Sequence, residues 1–423
     1  YVGGDSAAAG PRPAALPAVR RPMAVLGMAG RGGPASYPCK YFPAPGPCAA
    51  LAAGGPGGPF HARGGATPGV PCSGRPLRSA GAGDHPGGAN RPSPGGGPRP
   101  PGGAVSGALR CAALALAVRG GGVFTGHGRL MERPQEPYIH LFHEKGISWN
   151  REGDTLTVLG QLKAGDYELP GNVSSQFFTG LLYALPLVSG ISRIVPTTHI
   201  EGRDYLAMTL DTLAGAGVTV TELHNTIKYF RITGKTAYKA MDYTVESDWS
   251  QAAFWYAANF LGGQITIQGL NPTSAQGDKA VASFYWKLAR PGDVDLDVSQ
   301  YPDLVPPLAA MAAVRKGTCR FNNAGRLRMK ESDRLNSVTA ALIALGADIR
   351  EGEDSLTIRG RDSLMGGEMV DSQNDHRIAM MAAVSAQTCQ KPVTILGAEC
   401  VNKSYPNFWE DYEALGGVIR REG

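Results

Sequence analysis

Apolar positions from Cys111 onward fall into two rhythms that alternate along the chain. Runs such as Phe177, Phe178, Leu181, Leu182, Leu185 and Leu335, Val338, Leu342, Leu345 recur at helical spacing and predict amphipathic helices. Glycine stops several of these helices, and β-branched residues at alternating positions then predict a strand, a turn and a second strand. The pattern repeats as Gly146-Ile-Ser-Trp before Thr155-Leu-Thr-Val, Gly217-Val-Thr-Val before Tyr229-Phe-Arg-Ile, and Gly346-Ala-Asp-Ile before Ser355-Leu-Thr-Ile. Between these copies lie Gly190-Ile-Ser-Arg-Ile, Gly263-Gln-Ile-Thr-Ile, Gly317-Thr-Cys-Arg-Phe and Pro392-Val-Thr-Ile-Leu. Each is a predicted strand that leads through a polar loop into another helix. Charge gathers at those loops and helix starts: Arg203-Asp204, Asp278-Lys279, the stretch 326–334, and Lys403. Such repetition implies an α/β protein of quasi-equivalent modules with polar groups at one end. Helix N-termini aimed at one place form an anion site.

Before Cys111 the rhythm is absent. Residues 1–110 hold 26 Gly and 20 Pro, no Ile, no Glu and one lysine, Lys40, so the composition predicts a disordered segment without a core. Translation out of frame fits the abrupt switch to ordinary composition. This segment also carries eleven Lys and Arg against Asp5 and Asp84. Of the chain's 41 basic and 36 acidic residues, 30 and 34 therefore remain for the body, which is mildly acidic and shows no nucleic-acid footprint. Seven scattered cysteines without a CxxC pair argue for a reduced, cytoplasmic protein without structural zinc, and no apolar run is long enough to span a membrane.

Arg326-Leu-Arg-Met-Lys-Glu-Ser-Asp-Arg334 packs four cations and two carboxylates into nine residues at a predicted helix start. Projecting the Leu335 stripe back one turn lands on Glu331, which predicts an inward carboxylate with Lys330 and Arg334 beside it. Ser174-Ser-Gln176 opens another helix, where the hydroxyls can cap the backbone or share its N–H groups with a phosphate. Asn374-Asp-His-Arg377 does the same, offering a cap in Asn374 or Asp375 and an anion clamp in Arg377. Asp303, between Pro302 and Leu304, reads on its own as an acidic helix cap. Ser247-Asp-Trp-Ser250 reads as structural capping.

Together these pieces resemble the EPSP synthase family of the shikimate pathway. The resemblance is carried by Gly126-His-Gly-Arg-Leu-Met-Glu-Arg-Pro134, Ser174-Ser-Gln176, Ser274-Ala-Gln-Gly-Asp278, Asp303, Lys330-Glu-Ser-Asp-Arg-Leu335, Asn374-Asp-His-Arg377 and Lys403-Ser-Tyr-Pro406, in the family's order from about Gly120 to the end. It implies transfer of the enolpyruvyl group of phosphoenolpyruvate to the 5-hydroxyl of shikimate 3-phosphate, with release of phosphate and no metal or organic cofactor. It also implies a two-domain inside-out α/β barrel of repeated units. Here that would be a partial N-terminal domain over 115–240 and a C-terminal domain over 241–423, in a monomer. By the same resemblance Ser174, Ser175 and Lys330 hold shikimate 3-phosphate, and Gln176 lies close to both substrates. Arg133, Arg334, Arg377 and Lys403 surround phosphoenolpyruvate. Arg203 and Asp375 join the substrate-binding set. Asp303 accepts the hydroxyl proton, Glu331 delivers one to the methylene carbon, and Lys330 is counted with them among the catalytic residues.

Several positions depart from the family's pattern. Gly202 and Arg326 stand where a serine and an asparagine usually face the shikimate. The family's front motifs, Gly-Ser-Lys-Ser with a following arginine, Asp-Asp and Asn-Ala-Gly-Thr, do not occur before Gly120. An inactive remnant of the enzyme is therefore an alternative expectation. A second alternative, the related UDP-N-acetylglucosamine enolpyruvyl transferase, relies on a loop cysteine, whereas Lys-Glu-Ser-Asp-Arg and Asn-Asp-His-Arg favour the shikimate enzyme.

Overall fold

The computed structural model describes residues 24–27, 106–126, 133–224 and 228–421. The segment read as disordered lies largely outside the described residues. Two parts of it do not: Ala24–Gly27 forms strand β1, and helix α1 begins at Ser106, ahead of the expected boundary at 110.

All three predicted hairpins form: β3 (Ser148–Glu152) with β4 (Thr155–Leu159), β7 (Val220–His224) with β8 (Lys228–Thr233), and β12 (Asp348–Glu351) with β13 (Ser355–Arg359). Gly146, Gly217 and Gly346, just ahead of them, have φ of 69°, 78° and 87°, the left-handed region in which a side chain would strain the helix stop. The interleaved strands form as well: β6 (Ile191–Pro196), β9 (Ile265–Gln268), β11 (Thr318–Asn322) and β15 (Thr394–Leu396).

Two four-stranded sheets have one design. With β5 at Asp166–Leu169 and β10 at Val294–Asp297, the orders are β5-β6-β8-β7 and β10-β11-β13-β12. In both, the first pair is parallel and the other two are antiparallel. A third sheet, β2-β4-β3 with β2 at Gly121–Thr125, repeats only the antiparallel part. Two short parallel pairs complete the set, β1 with β9 and β14 (Met369–Asp371) with β15.

Among the described residues nine further helices pack against these strands: α2 (Glu136–Glu144), α3 (Ser175–Ala184), α4 (Arg203–Gly215), α5 (Trp249–Phe260), α6 (Val281–Ala289), α7 (Val305–Val314), α8 (Arg334–Ala344), α9 (His376–Ser385) and α10 (Phe408–Ala414). Buried apolar side chains form two separate cores, one from Ala112 to Ile232 and one from Trp249 to Phe408. Helix α7, apolar on all sides, sits within the second, with every residue from Val305 to Ala313 buried. Its N-terminal end therefore delivers Asp303 to the interior.

Candidate active site

Asp303 lies in the 3-10 turn Pro302–Leu304 and makes no side-chain cap for the helix that follows. Its carboxylate instead faces three cations from two segments of the chain. Arg334 Nη1 lies 2.7 Å from Oδ1, Lys330 Nζ 3.6 Å from the same oxygen, and Arg377 Nη2 3.5 Å from Oδ2. Arg377 also donates to the Asp303 carbonyl at 3.1 Å. Tyr205, from the first core's half of the chain, donates its hydroxyl to Oδ2 at 3.5 Å.

Arg334 is the hub. Beyond Asp303, its Nη2 reaches Glu331 at 2.6 Å and its Nε reaches Asp375 at 2.9 Å. Its side chain is fully buried, a position tolerable for a guanidinium only because every face meets a carboxylate. Burial works against the charge, yet Asp375, Glu331 and Asp303 hold its pKa above the ordinary value. Asp375 does two jobs, capping α9 by accepting from Arg377 N at 2.9 Å and binding Arg334. Ser332 donates to it as well, at 3.2 Å.

Glu331 faces inward as the apolar stripe predicts, but not on a helix. The chain makes a 3-10 turn over Gly325–Met329, and α8 begins only at Arg334, capped by Asp333. The carboxylate is turned in by Arg334 and by Arg133, whose Nη2 is 3.3 Å away. Lys330 is pushed down to about 8 by burial, with Arg326 and Arg334 adding repulsion and Asp303 and Glu331 opposing them.

The other expected residues are more dispersed. Ser174 caps α3 by accepting from Gln176 N at 3.3 Å, and Ser175 is buried behind it, near Gly202. Lys403 Nζ is held by the carbonyl of Asn374 at 2.6 Å and by its side-chain oxygen. Arg203, half exposed, turns to Glu222 at 2.5 Å rather than to the cluster. Residues 127–132 of the first motif lie outside the described residues.

Two departures from the family's pattern sit side by side in space. Gly202 N and Arg203 N, at the start of α4, both donate to Gln300 Oε1, at 2.8 and 3.1 Å. Arg326 pairs with Glu201 at 3.0 Å. Ser250, read as mere capping, was missed by sequence reasoning: Asp248 makes the cap, and the Ser250 hydroxyl is free to join Arg377 at 2.9 Å and Asp278 at 2.5 Å. A hydroxyl two places after a residue that already makes the cap was the available signal.

Among the described residues no group of His, Cys, Asp and Glu is arranged to hold a metal ion, and no helix is long and apolar enough to cross a membrane.

Comparison with known proteins decides the family. The family profile for EPSP synthase (3-phosphoshikimate 1-carboxyvinyltransferase) matches residues 103–412. The chain belongs to the EPSP synthase family. It is 45% identical over 313 residues to the 3-phosphoshikimate 1-carboxyvinyltransferase of Clostridium kluyveri, a match spanning 70% of this chain and 73% of the relative. The protein of the same name from Clostridium acetobutylicum is also 45% identical, with 70% and 72% covered. In fold the chain is similar to the EPSP synthase of Acinetobacter baumannii, with a TM-score of 0.61 over 74% of this chain and 78% of that one at 24% identity. It is also similar in fold to the enolpyruvyl transferase NikO of Streptomyces tendae, at 0.58 over 74% and 77% with 16% identity.

Proposed function

We propose that the chain transfers the enolpyruvyl group of phosphoenolpyruvate to the 5-hydroxyl of shikimate 3-phosphate, releasing phosphate, a step toward chorismate and the aromatic amino acids. The observation that carries this reading is the convergence of Arg133, Lys330, Arg334 and Arg377 on Asp303 and Glu331. Two multiply charged anions need several fixed cations to offset their repulsion and lost hydration. In this reading Asp303 accepts the hydroxyl proton, and Glu331 protonates the methylene carbon. Lys330, Ser174 and Ser175 hold shikimate 3-phosphate, Arg203 joins them on leaving Glu222, and Gln176 faces both substrates. Arg133, Arg334, Arg377 and Lys403 receive phosphoenolpyruvate, and Asp375 aligns the two arginines. The separate cores support a partial N-terminal domain over 115–240 and a C-terminal domain over 241–423. We take the protein to be a cytoplasmic monomer, which sedimentation of the purified chain checks.

One observation favours a second reading, an anion-binding remnant. Gly-Ser-Lys-Ser and Asn-Ala-Gly-Thr do not occur in this sequence. Loss of one preorganised donor costs about a hundredfold in rate, and losses within one site are not additive. A phosphate-release assay separates the two readings. Slow release that Glu331→Gln abolishes supports the transferase. Release no faster than that of Glu331→Gln, in a chain that still binds phosphoenolpyruvate, supports the remnant.

A further inference from the structure

Among the described residues, Asp278 is a buried carboxylate that the proposed chemistry does not use. Asp278 follows Ser-Ala-Gln-Gly in the 3-10 turn Gly277–Ala280, is 4% exposed, and meets Ser250 Oγ at 2.5 Å. Ser250 in turn meets Arg377 Nη2 at 2.9 Å, and that same nitrogen lies 3.5 Å from Asp303 Oδ2.

Proton counting gives this line a direction. A guanidinium only donates, so Ser250 must accept from Arg377. The hydroxyl has a single proton, which is then aimed at Asp278 Oδ2. The ionised carboxylate is the form that completes the chain, as a short charge-assisted bond. A neutral Asp278 donating to Ser250 would leave the hydroxyl proton without that acceptor. Burial pushes the Asp278 carboxyl up to about 7, Asp303 and Asp248 add repulsion, and Arg377 opposes them. Capping does not explain the contact, because Asp248 already caps α5.

We propose that Asp278 is a positioning residue which, through Ser250, sets the Arg377 guanidinium against Asp303. The relay holds the same guanidinium nitrogen, Nη2, that faces Asp303 Oδ2. The reading of Arg377 as a phosphoenolpyruvate ligand comes from the proposed function, and the inference rests on it; the geometry of the relay does not.

The test uses the full chain with arginine side chains labelled with 15N. Arg377 is expected to give a slowly exchanging guanidinium signal, assigned by its loss in Arg377→Lys. Asp278→Asn and Ser250→Ala should each move that signal toward free arginine while the Arg334 signal stays in place. Both variants should weaken phosphoenolpyruvate binding about tenfold by calorimetry, and the double variant should be no weaker than either single one. An Arg377 signal unchanged in folded Ser250→Ala overturns the proposal, as does unchanged affinity in a chain that binds phosphoenolpyruvate. Ser250→Ala serves if Asp278→Asn fails to fold. If the unsubstituted chain binds no phosphoenolpyruvate but the signal shifts as expected, the positioning role stands and the proposed function fails.

Discussion

Arg326 Nε lies 3.0 Å from Glu201 Oε2, and the pair joins the half of the chain built on the first core to the half built on the second. Both side chains are mostly shielded from water, so the pair is stronger than an open surface bridge but still sensitive to salt. Glu201→Gln, or Arg326→Asn, should let the halves separate more readily. Small-angle scattering at low salt should show a larger radius of gyration for either variant, and 0.5 M salt should bring the unsubstituted chain toward the variants. An identical radius at all salt concentrations would show that the pair does not restrain closure.

Arg334 stands in the buried network with three carboxylates around it. Arg334→Met leaves Asp303, Asp375 and Glu331 without their shared cation, and loss of one buried partner costs about 3–5 kcal/mol. Urea denaturation should show that loss. Adding Asp375→Asn should recover part of it, because one stranded charge is then removed.

Gly202 has φ of 68°, and a Cβ there would stand 3.1 Å from Tyr205 Cδ2. Restoring the family's usual serine by Gly202→Ser should therefore destabilise the chain by about 1–3 kcal/mol. Thermal unfolding checks it. A neutral or stabilising result would mean that the backbone relaxes out of the left-handed region.

Lys330 gives a pH test with opposite signs for stability and binding. Its pKa is about 8 in the folded protein and ordinary in the unfolded chain. Between pH 8 and the ordinary lysine value the unfolded chain holds more protons, so this group's contribution to stability rises with pH across that window, and its penalty is fully present below it. Anion affinity should fall through the same pH 8 as the ammonium loses its charge. In Lys330→Met both slopes should flatten; unchanged slopes would assign them to other groups.

Much of this was legible in the sequence because it rests on local rules. Glycine stops and alternating β-branched residues identified all three hairpins and the four interleaved strands. The inward turn of Glu331 was also legible, although the reason differed: a helical stripe pointed inward, and a nonhelical turn held by Arg334 and Arg133 achieves it. Contacts between distant segments were not legible. Nothing local to Asp303 distinguishes an acidic cap from a buried acceptor, since the arginines that decide it lie 31 and 74 residues away. Ser250 was misread for the same reason, its partner Arg377 being 127 residues downstream.

Those separations bear on how the protein is made. During synthesis α7 and the turn bearing Asp303 emerge well before α9, and Arg377 reaches back across 74 and 127 residues to its partners. Until α9 is out, Asp303 can meet Arg334 and Lys330, but Ser250 and Asp278 lack the arginine that ties them to it, so this part of the second core cannot be completed. Completion of this interior thus waits until α9 has been made, however early the segments bearing Asp278 and Asp303 appear.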